Sequence, residues 1–472
     1  MLTMNSNTGW AGKALQTLLA ACLLLVCWGC GGSGSSSTGT TTGVTANSSA
    51  TQVRMGDAPA DRVLVFEVTA GPITLTPSQG AAVTVLSTPR RLELMHNSGT
   101  TEPLSLTNIP QGTYTSASMT VANPEVVFTN SAGQIVKLEP AFNQAITVTF
   151  SPALTISASA AVVSIDLNVA NSLTFDPSGN VTGVNLSASS FTFSSSTVAA
   201  ENEQEPDNGE MEDTTGTVSS VSGNSFTLSL GTGGTSLTFA TDSNTEFKDG
   251  ATLATLTNMV VSVEGVTRAD GTLYAKEVEG VEAEGGAEVE GVISSVTGNP
   301  ASQLGVVVDA GSGSGVDDSK TGSTVTANVS GAGYKVSKGN LDLSGIGGLP
   351  ATPNFPFDAA TIHAGQRVEV ESESGAAATT VQADKVKLVQ QTLAGTISEV
   401  SGSAPTVFTV TVPADSVFAT LSGSTTVSVF WQPGTDVRGL PHAPANGDSV
   451  RVRGLLFFTG SGFNMIARRI TQ

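Results

Sequence analysis

The sequence predicts an all-β protein, and three observations carry that prediction. Thr, Ser and Val recur throughout the 472 residues, Gly occurs 52 times, and charged residues make up only 13 %. Val and Ile suit strands, whereas Gly and Ser mark turns. Short runs alternate apolar and polar residues, as in Ile146-Thr147-Val148-Thr149-Phe150. After residue 30, no stretch keeps a 3.6-residue apolar period. At about 150 residues per domain, the length suits roughly three domains.

The first thirty residues stand apart. Residues 1–13 are polar with one charge, Lys13, and residues 14–30 are apolar, ending Trp28-Gly29-Cys30 before Gly31-Gly32-Ser33-Gly34. This is a signal-peptide layout, and the apolar run is short for a bilayer span. Gly29-Cys30 resembles the end of a bacterial lipobox, although Cys27 and Trp28 depart from its usual residues. The resemblance implies lipid on Cys30, and a diacylglycerol plus an amide-linked chain exceeds the two anchors that stable attachment needs. Leu19-Ala20-Ala21-Cys22 fits the consensus better. It lies close to Lys13, however, and would leave an apolar octet on the mature chain. An uncleaved amino-terminal anchor is the third alternative. Gly31, rather than aspartate, follows Cys30, which by the same resemblance implies the outer membrane, on its periplasmic or surface side. All three cysteines lie here, so processing at Cys30 leaves one alkylated cysteine and no disulfide or thiolate metal site.

Beyond this signal segment (1–30), residues 31–52 are a Gly/Ser/Thr-rich tether. A second linker, 201–213, carries seven acids and no base. Together they bracket a domain at 53–200. Val63–Val68, Ile146–Phe150, Val162–Leu167 and Phe191–Phe193 read as its strands, and Pro110-Gln111-Gly112 and Pro177-Ser178-Gly179-Asn180 as turns. Strands so spaced suggest a β-sandwich. Gly56-Asp57-Ala58-Pro59, Arg91-Leu92-Glu93-Leu94, Ile109-Pro110-Gln111-Gly112-Thr113-Tyr114 and Asp166-Leu167-Asn168 resemble the domain of unknown function 4382. That family occurs in bacterial lipoproteins, and the resemblance implies a sandwich without a known activity.

The remainder repeats. Gly216-Thr-Val-Ser-Ser-Val-Ser-Gly-Asn224 recurs from Gly291 to Asn299 and from Gly395 to Ser403. Each copy then has a Val-x-Val strand, at Val261, Val368 and Val450, and closes on Ala275/Val278, Ala383/Val386 or Ala467/Ile470. The shared order and phase mark a tandem repeat. Three small β-barrels are expected, at 214–281, 288–390 and 392–472, the middle one stretched by insertions at 311–333 and 340–356. The first, with Asp270-Gly271-Thr272-Leu273-Tyr274-Ala275, resembles the domain of unknown function 5666. The resemblance implies barrels of the oligonucleotide-binding type.

The search for chemistry is negative. A net charge of −20 and the lack of a basic stripe argue against nucleic acid. His96, His363 and His442 fall in different domains, none with a ligand or a base partner at useful spacing. Gly311-Ser-Gly-Ser-Gly315 reads as a flexible loop, without the Lys-Ser/Thr of a phosphate loop. Glu277, Glu279, Glu282, Glu284, Glu288 and Glu290 alternate along the chain and so read as a solvated strand face, with a weak Ca²⁺ site as the alternative. In the third copy, Phe430, Trp431, Phe457, Phe458 and Phe463 read as core. Arg451, Arg453, Arg468 and Arg469 read as a cationic sheet face; an aromatic glycan-binding face is the alternative. No catalytic residue, metal or cofactor is therefore expected. The expectation is a non-catalytic cell-envelope lipoprotein with a structural, adhesive or interaction role. Its membrane contact is the amino-terminal lipid, and a protein or glycan partner stays open. The alternative is a carbohydrate- or small-ligand-binding lipoprotein.

Overall fold

The computed structural model describes residues 47–58, 61–95, 101–199, 209–231, 235–281, 286–316, 320–338, 341, 343, 355–377, 379–401 and 406–472. The signal segment with Cys22 and Cys30, most of the tether, His96, residues 201–208, Glu282 and Glu284 lie outside the described residues. What is described is all-β, apart from one short α-helix, Val417–Ser422, and two 3₁₀ turns.

Between residues 48 and 197, two large sheets and a two-stranded one, Leu173–Phe175 with Val181–Val184, share one core. The first has the strand order Phe191–Thr197, Ala160–Asn168, Ser48–Ala58, Glu102–Pro110. The second is built on the long strands Val63–Pro77 and Gly112–Thr129. Met55 and Ile165 from the first sheet meet Phe66, Ile73 and Met119 from the second. Alternation decides the faces: Ile146 and Val148 are buried, and Thr147 and Thr149 are exposed. The sheet also takes in residues 48–52, which composition assigned to the tether. Ser49, Thr51 and Gln52 are buried there because strand pairing with Leu106–Ile109 satisfies their backbone. A run of Ser, Thr and Ala carries no apolar signal of that burial.

The first and last repeats share one topology. In the first, the strands are Glu210–Ser222, Ser225–Ser229, Ser236–Ala240, Val260–Thr267 and Leu273–Gly280. They form a ring in the order 1-2-3-5-4, closed where the third strand runs parallel to the fifth at Phe239 and Leu273. The last repeat closes in the same order through Gln391–Ser401, Thr406–Thr411, Thr426–Arg438, Ser449–Phe458 and Phe463–Thr471. This is the strand order of oligonucleotide-binding barrels.

The middle repeat departs from a simple closed barrel. Its strands Ala287–Gly298, Ala301–Gly313, Thr324–Asn328 and Arg367–Ser372 belong to an eight-stranded sheet. Its fifth strand is split into Thr380–Gln382, parallel to the third, and Lys385–Leu388, antiparallel to the fourth. The ring is completed between the pieces. Ala383 N–H donates to the Asn328 carbonyl on one side, and Asp384 N–H donates to the Glu371 carbonyl on the other. Within the stretch 311–333, residues 311–313 complete the second strand and 324–328 form the third, so Gly311–Gly313 are not the flexible loop that their composition suggested.

The glycine that opens each repeat has a steric reason. A Cβ at Gly216 would sit 2.5 Å from the Ser229 carbonyl oxygen, and one at Gly395 would sit 2.5 Å from that of Thr411. At Gly291 it would run into the Val307 carbonyl. The first strand must coil tightly over the second for a five-stranded ring to close, and only glycine leaves room. Inside the first ring, Val218, Val263 and Val278 share a core with Phe226 and Phe239. Val263→Ala is expected to cost about 2 kcal/mol through lost burial and a residual cavity. The exposed Thr238→Ala should stay within about 0.5 kcal/mol of wild type. Urea unfolding compares the two; equal midpoints would mean that Val263 does not face a core.

The sandwich and barrels are not beads on a linker. Thr267 Oγ1 donates to Gln52 Oε1 at 3.2 Å, and Arg62 pairs with Asp415 at 3.0 Å. Leu64, Val65 and Val127 of the sandwich bury against Val307. The acidic stretch joins in as well, because the first barrel strand begins at Glu210 and takes in the last four residues of the expected 201–213 linker.

Candidate functional site

The alternation that points Val inward in each barrel points charge outward. On the fourth strands the outward residues are Ser262 and Glu264, then Glu369 and Glu371, then Arg451 and Arg453. On the fifth strands they are Glu277 and Glu279, then Lys385 and Lys387, then Arg469. The first barrel thus presents an acidic face, the second a mixed face and the third a basic one. Most of this charge is turned toward a neighbouring barrel.

Between the first two barrels the hub is Lys387, whose side chain is 8 % exposed. Its Nζ lies 2.8 Å from Glu369, 2.9 Å from Glu371, 3.2 Å from Glu279 and 3.6 Å from Asp249. Between the first and third barrels the hub is Glu212. Arg469 reaches it at 3.0 Å, Arg453 at 3.5 Å and Arg468 at 3.7 Å, and Arg468 also reaches Glu264 at 3.4 Å. Between the second and third barrels the contact is neutral. Gln366 Nε2 donates to the Leu456 carbonyl at 2.8 Å, and Leu388 packs with Leu455, Phe457 and Ile466. Each barrel therefore touches the other two.

A polar cavity of about 100 Å³ lies where the three faces converge. Glu264, Glu279, Glu288, Glu290, Glu369 and Lys387 line it, with Arg453 from the third barrel. Beside it, the buried Arg367 holds Glu290 and Asp309, each at 2.9 Å. Burial pushes Glu288 up to about 8 against the pull of Lys387, and Glu290, Glu371 and Glu279 add to the rise. Glu369 is likewise raised well above the carboxylate range by burial and by Glu288. Burial alone would lower Lys387, but Glu369, Glu371 and Glu279 hold it charged. Glu212 goes the other way. Burial opposes its charge, yet Arg469, Arg453 and Arg468 bring it down to about 2.

The acids expected on a solvated strand face are therefore corrected in part. Glu277, Glu279, Glu288 and Glu290 are partly buried against neighbouring barrels. Alternation places a side chain on a face but does not say what covers that face. Of the third-copy arginines expected on a cationic surface, Arg453, Arg468 and Arg469 are engaged with acids of the first barrel, and Arg451 lies near Asp61 and Asp166 of the sandwich. Among the described residues, no group of three His, Cys, Asp or Glu side chains is placed to hold a metal ion. Phe430, Phe457 and Phe463 are buried, and Trp431 and Phe458 pack partly buried against the third core. His363 packs at a tilt on Phe458 with ring centroids 4.2 Å apart, and its Nδ1 lies 3.0 Å from the Ala364 carbonyl. The half-exposed His442 has Asp448 beside it at 3.7 Å, a pairing that sequence spacing did not suggest. Sequence reasoning also missed Arg367 and Glu212. The opposed charge signs at matched repeat positions, Glu277 against Lys385 and Arg469, were the available signal for a charged junction, but none marked Glu212.

Fold and junction together define a sandwich joined to a tandem array of three barrels, locked by buried ion pairs. Residues 215–279, essentially the first barrel, match the family described as Domain of unknown function (DUF5666). No curated protein and no solved structure matches the chain significantly.

Proposed function

We propose that the chain is a non-catalytic, lipid-anchored lipoprotein of the bacterial cell envelope. Its sandwich and barrels act there as one presented body in a structural, adhesive or interaction role. The observation that carries this reading is where the perturbed charges go. Glu212, Glu288, Glu369, Lys387 and Arg469 face one another across barrel junctions, each perturbed mainly by burial and by the others' charge. Such groups mark catalytic sites when they meet reactive partners, and structural ion-pair networks when they meet only each other. The signal-like segment and Gly29-Cys30 support the anchor, and the likeness of residues 53–200 to a domain found in lipoproteins agrees with it. The outer membrane is the proposed address.

Cell fractionation tests the anchor. Cys30→Ser is expected to move the protein from the membrane to the soluble fraction, while Cys22→Ser leaves it membrane-bound. If Cys22→Ser releases the protein and Cys30→Ser does not, the lipid is on the other cysteine. Retention of both variants, and of the double variant, would point to an uncleaved anchor and overturn the lipoprotein reading.

A further inference from the structure

A second cavity, of about 110 Å³, lies where the sandwich meets the second and third barrels. Its walls are apolar and come from all three units: Leu64 from the sandwich, Val292 from the second barrel, and Leu393, Val417 and Phe418 from the third. An engineered apolar cavity of roughly 150 Å³ takes up benzene, so the space suits a body of that order.

The polar groups on its floor are already engaged. Arg367 is held by Glu290 and Asp309. The Gln391 amide accepts from Arg367 N–H at 2.8 Å and donates to the Gly365 carbonyl at 3.0 Å. Asp61 at the rim differs. Its carbonyl is pinned by Val417 N–H at 2.6 Å. Its side chain is largely exposed, yet partial desolvation and, after it, the Asp415 carboxylate raise its carboxyl, which accepts no hydrogen bond among the described residues. Nearby, Arg62 is taken by Asp415 at 3.0 Å, and Arg451 is shared between Asp61 and Asp166. Among the described residues three acids thus face two bases, which leaves this part of the rim one negative charge in excess.

We propose that this cleft binds a small apolar amine, with its hydrocarbon body among Leu64, Val292, Leu393 and Phe418 and its ammonium on the Asp61 carboxylate. A pocket at a domain junction, mostly apolar with one fixed polar group, is the usual form of a small-molecule site. The ion pair at the open rim supplies orientation, and burial of the body supplies most of the affinity. The assignment is independent of the lipid anchor and of the structural role above.

Fluorine NMR with para-fluorobenzylamine as the probe tests this, using the full chain carried in lipid nanodiscs. Nine heavy atoms set a dissociation constant on the order of a millimolar. Val292→Phe, and separately Ala394→Leu, fill the cavity and should each abolish saturable binding while the circular-dichroism melt stays cooperative. Asp61→Asn should weaken the amine about tenfold, as loss of one partly exposed ion pair would, and leave neutral para-fluorobenzyl alcohol unchanged. Three results would each overturn the proposal. These are no saturable binding to wild type, wild-type binding by a folded cavity-filling variant, or an amine affinity indifferent to Asp61→Asn.

Discussion

Glu212→Ala should destabilise the protein by about 3–5 kcal/mol, the usual cost of removing one partner from a buried ion pair. The side chain is 6 % exposed and meets three arginines. Its loss leaves Arg453, Arg468 and Arg469 facing one another at the seam between the first and third barrels, with Glu210, Glu264 and Asp436 as the remaining acids. The same hub predicts an acid limb in stability. The Glu212 pKa falls from an ordinary 4.5 to about 2 on folding. Its contribution is therefore fully present above about 4.5 and is lost as pH falls through about 2. A difference of that size corresponds to roughly 3 kcal/mol. Urea unfolding of wild type and Glu212→Ala across this window measures both effects. Matching midpoints at neutral pH, or an acid limb that survives the substitution, would show that the seam does not depend on this carboxylate.

Glu288→Gln has the opposite sign. Burial raises the Glu288 carboxyl from an ordinary 4.5 to about 8 in the folded protein. The folded state then holds a proton that the unfolded chain gives up. The associated stability is fully present below about 4.5 and is lost as pH rises through about 8, by a few kcal/mol. Glutamine keeps the shape and removes the titration. Wild type and Glu288→Gln should match at low pH, and the variant should be the more stable at pH 8 and above. A variant with the wild-type alkaline limb would show that the cavity between the barrels admits enough water to hold Glu288 ionised.

Both predictions come from one design. Most charge-bearing strand faces of the barrels are turned toward each other, and Ser- and Thr-rich strands such as Ser225–Ser229 and Ser236–Ala240 remain outside. Buried ion pairs add little net stability over apolar contacts, but mismatched ones are costly. An acidic, a mixed and a basic face allow far fewer arrangements than three equal apolar ones would. Charge sign thus gives three similar barrels a defined order.

The strands and their inward faces were legible in the sequence, because alternation and turn glycines act over a few residues. Ile146 and Val148 were assignable to a core without coordinates. So were Val218, Ile293 and Ile397, each two residues after its ring-closing glycine. The charged cavity was not. Glu212 and Arg469 lie 257 positions apart, and Glu279 and Lys387 lie 108 apart. No local pattern distinguishes a polar strand face covered by water from one covered by another barrel. Nor could composition place Ser48–Gln52 in a sheet, since the pairing that buries them comes from Leu106–Pro110. The sequence by itself determined the barrel as a unit, through periods of two and glycines where a Cβ would strike a carbonyl. Only the tertiary structure decided which faces those units hide, because that depends on long-range Coulomb partners and desolvation, which no single repeat encodes.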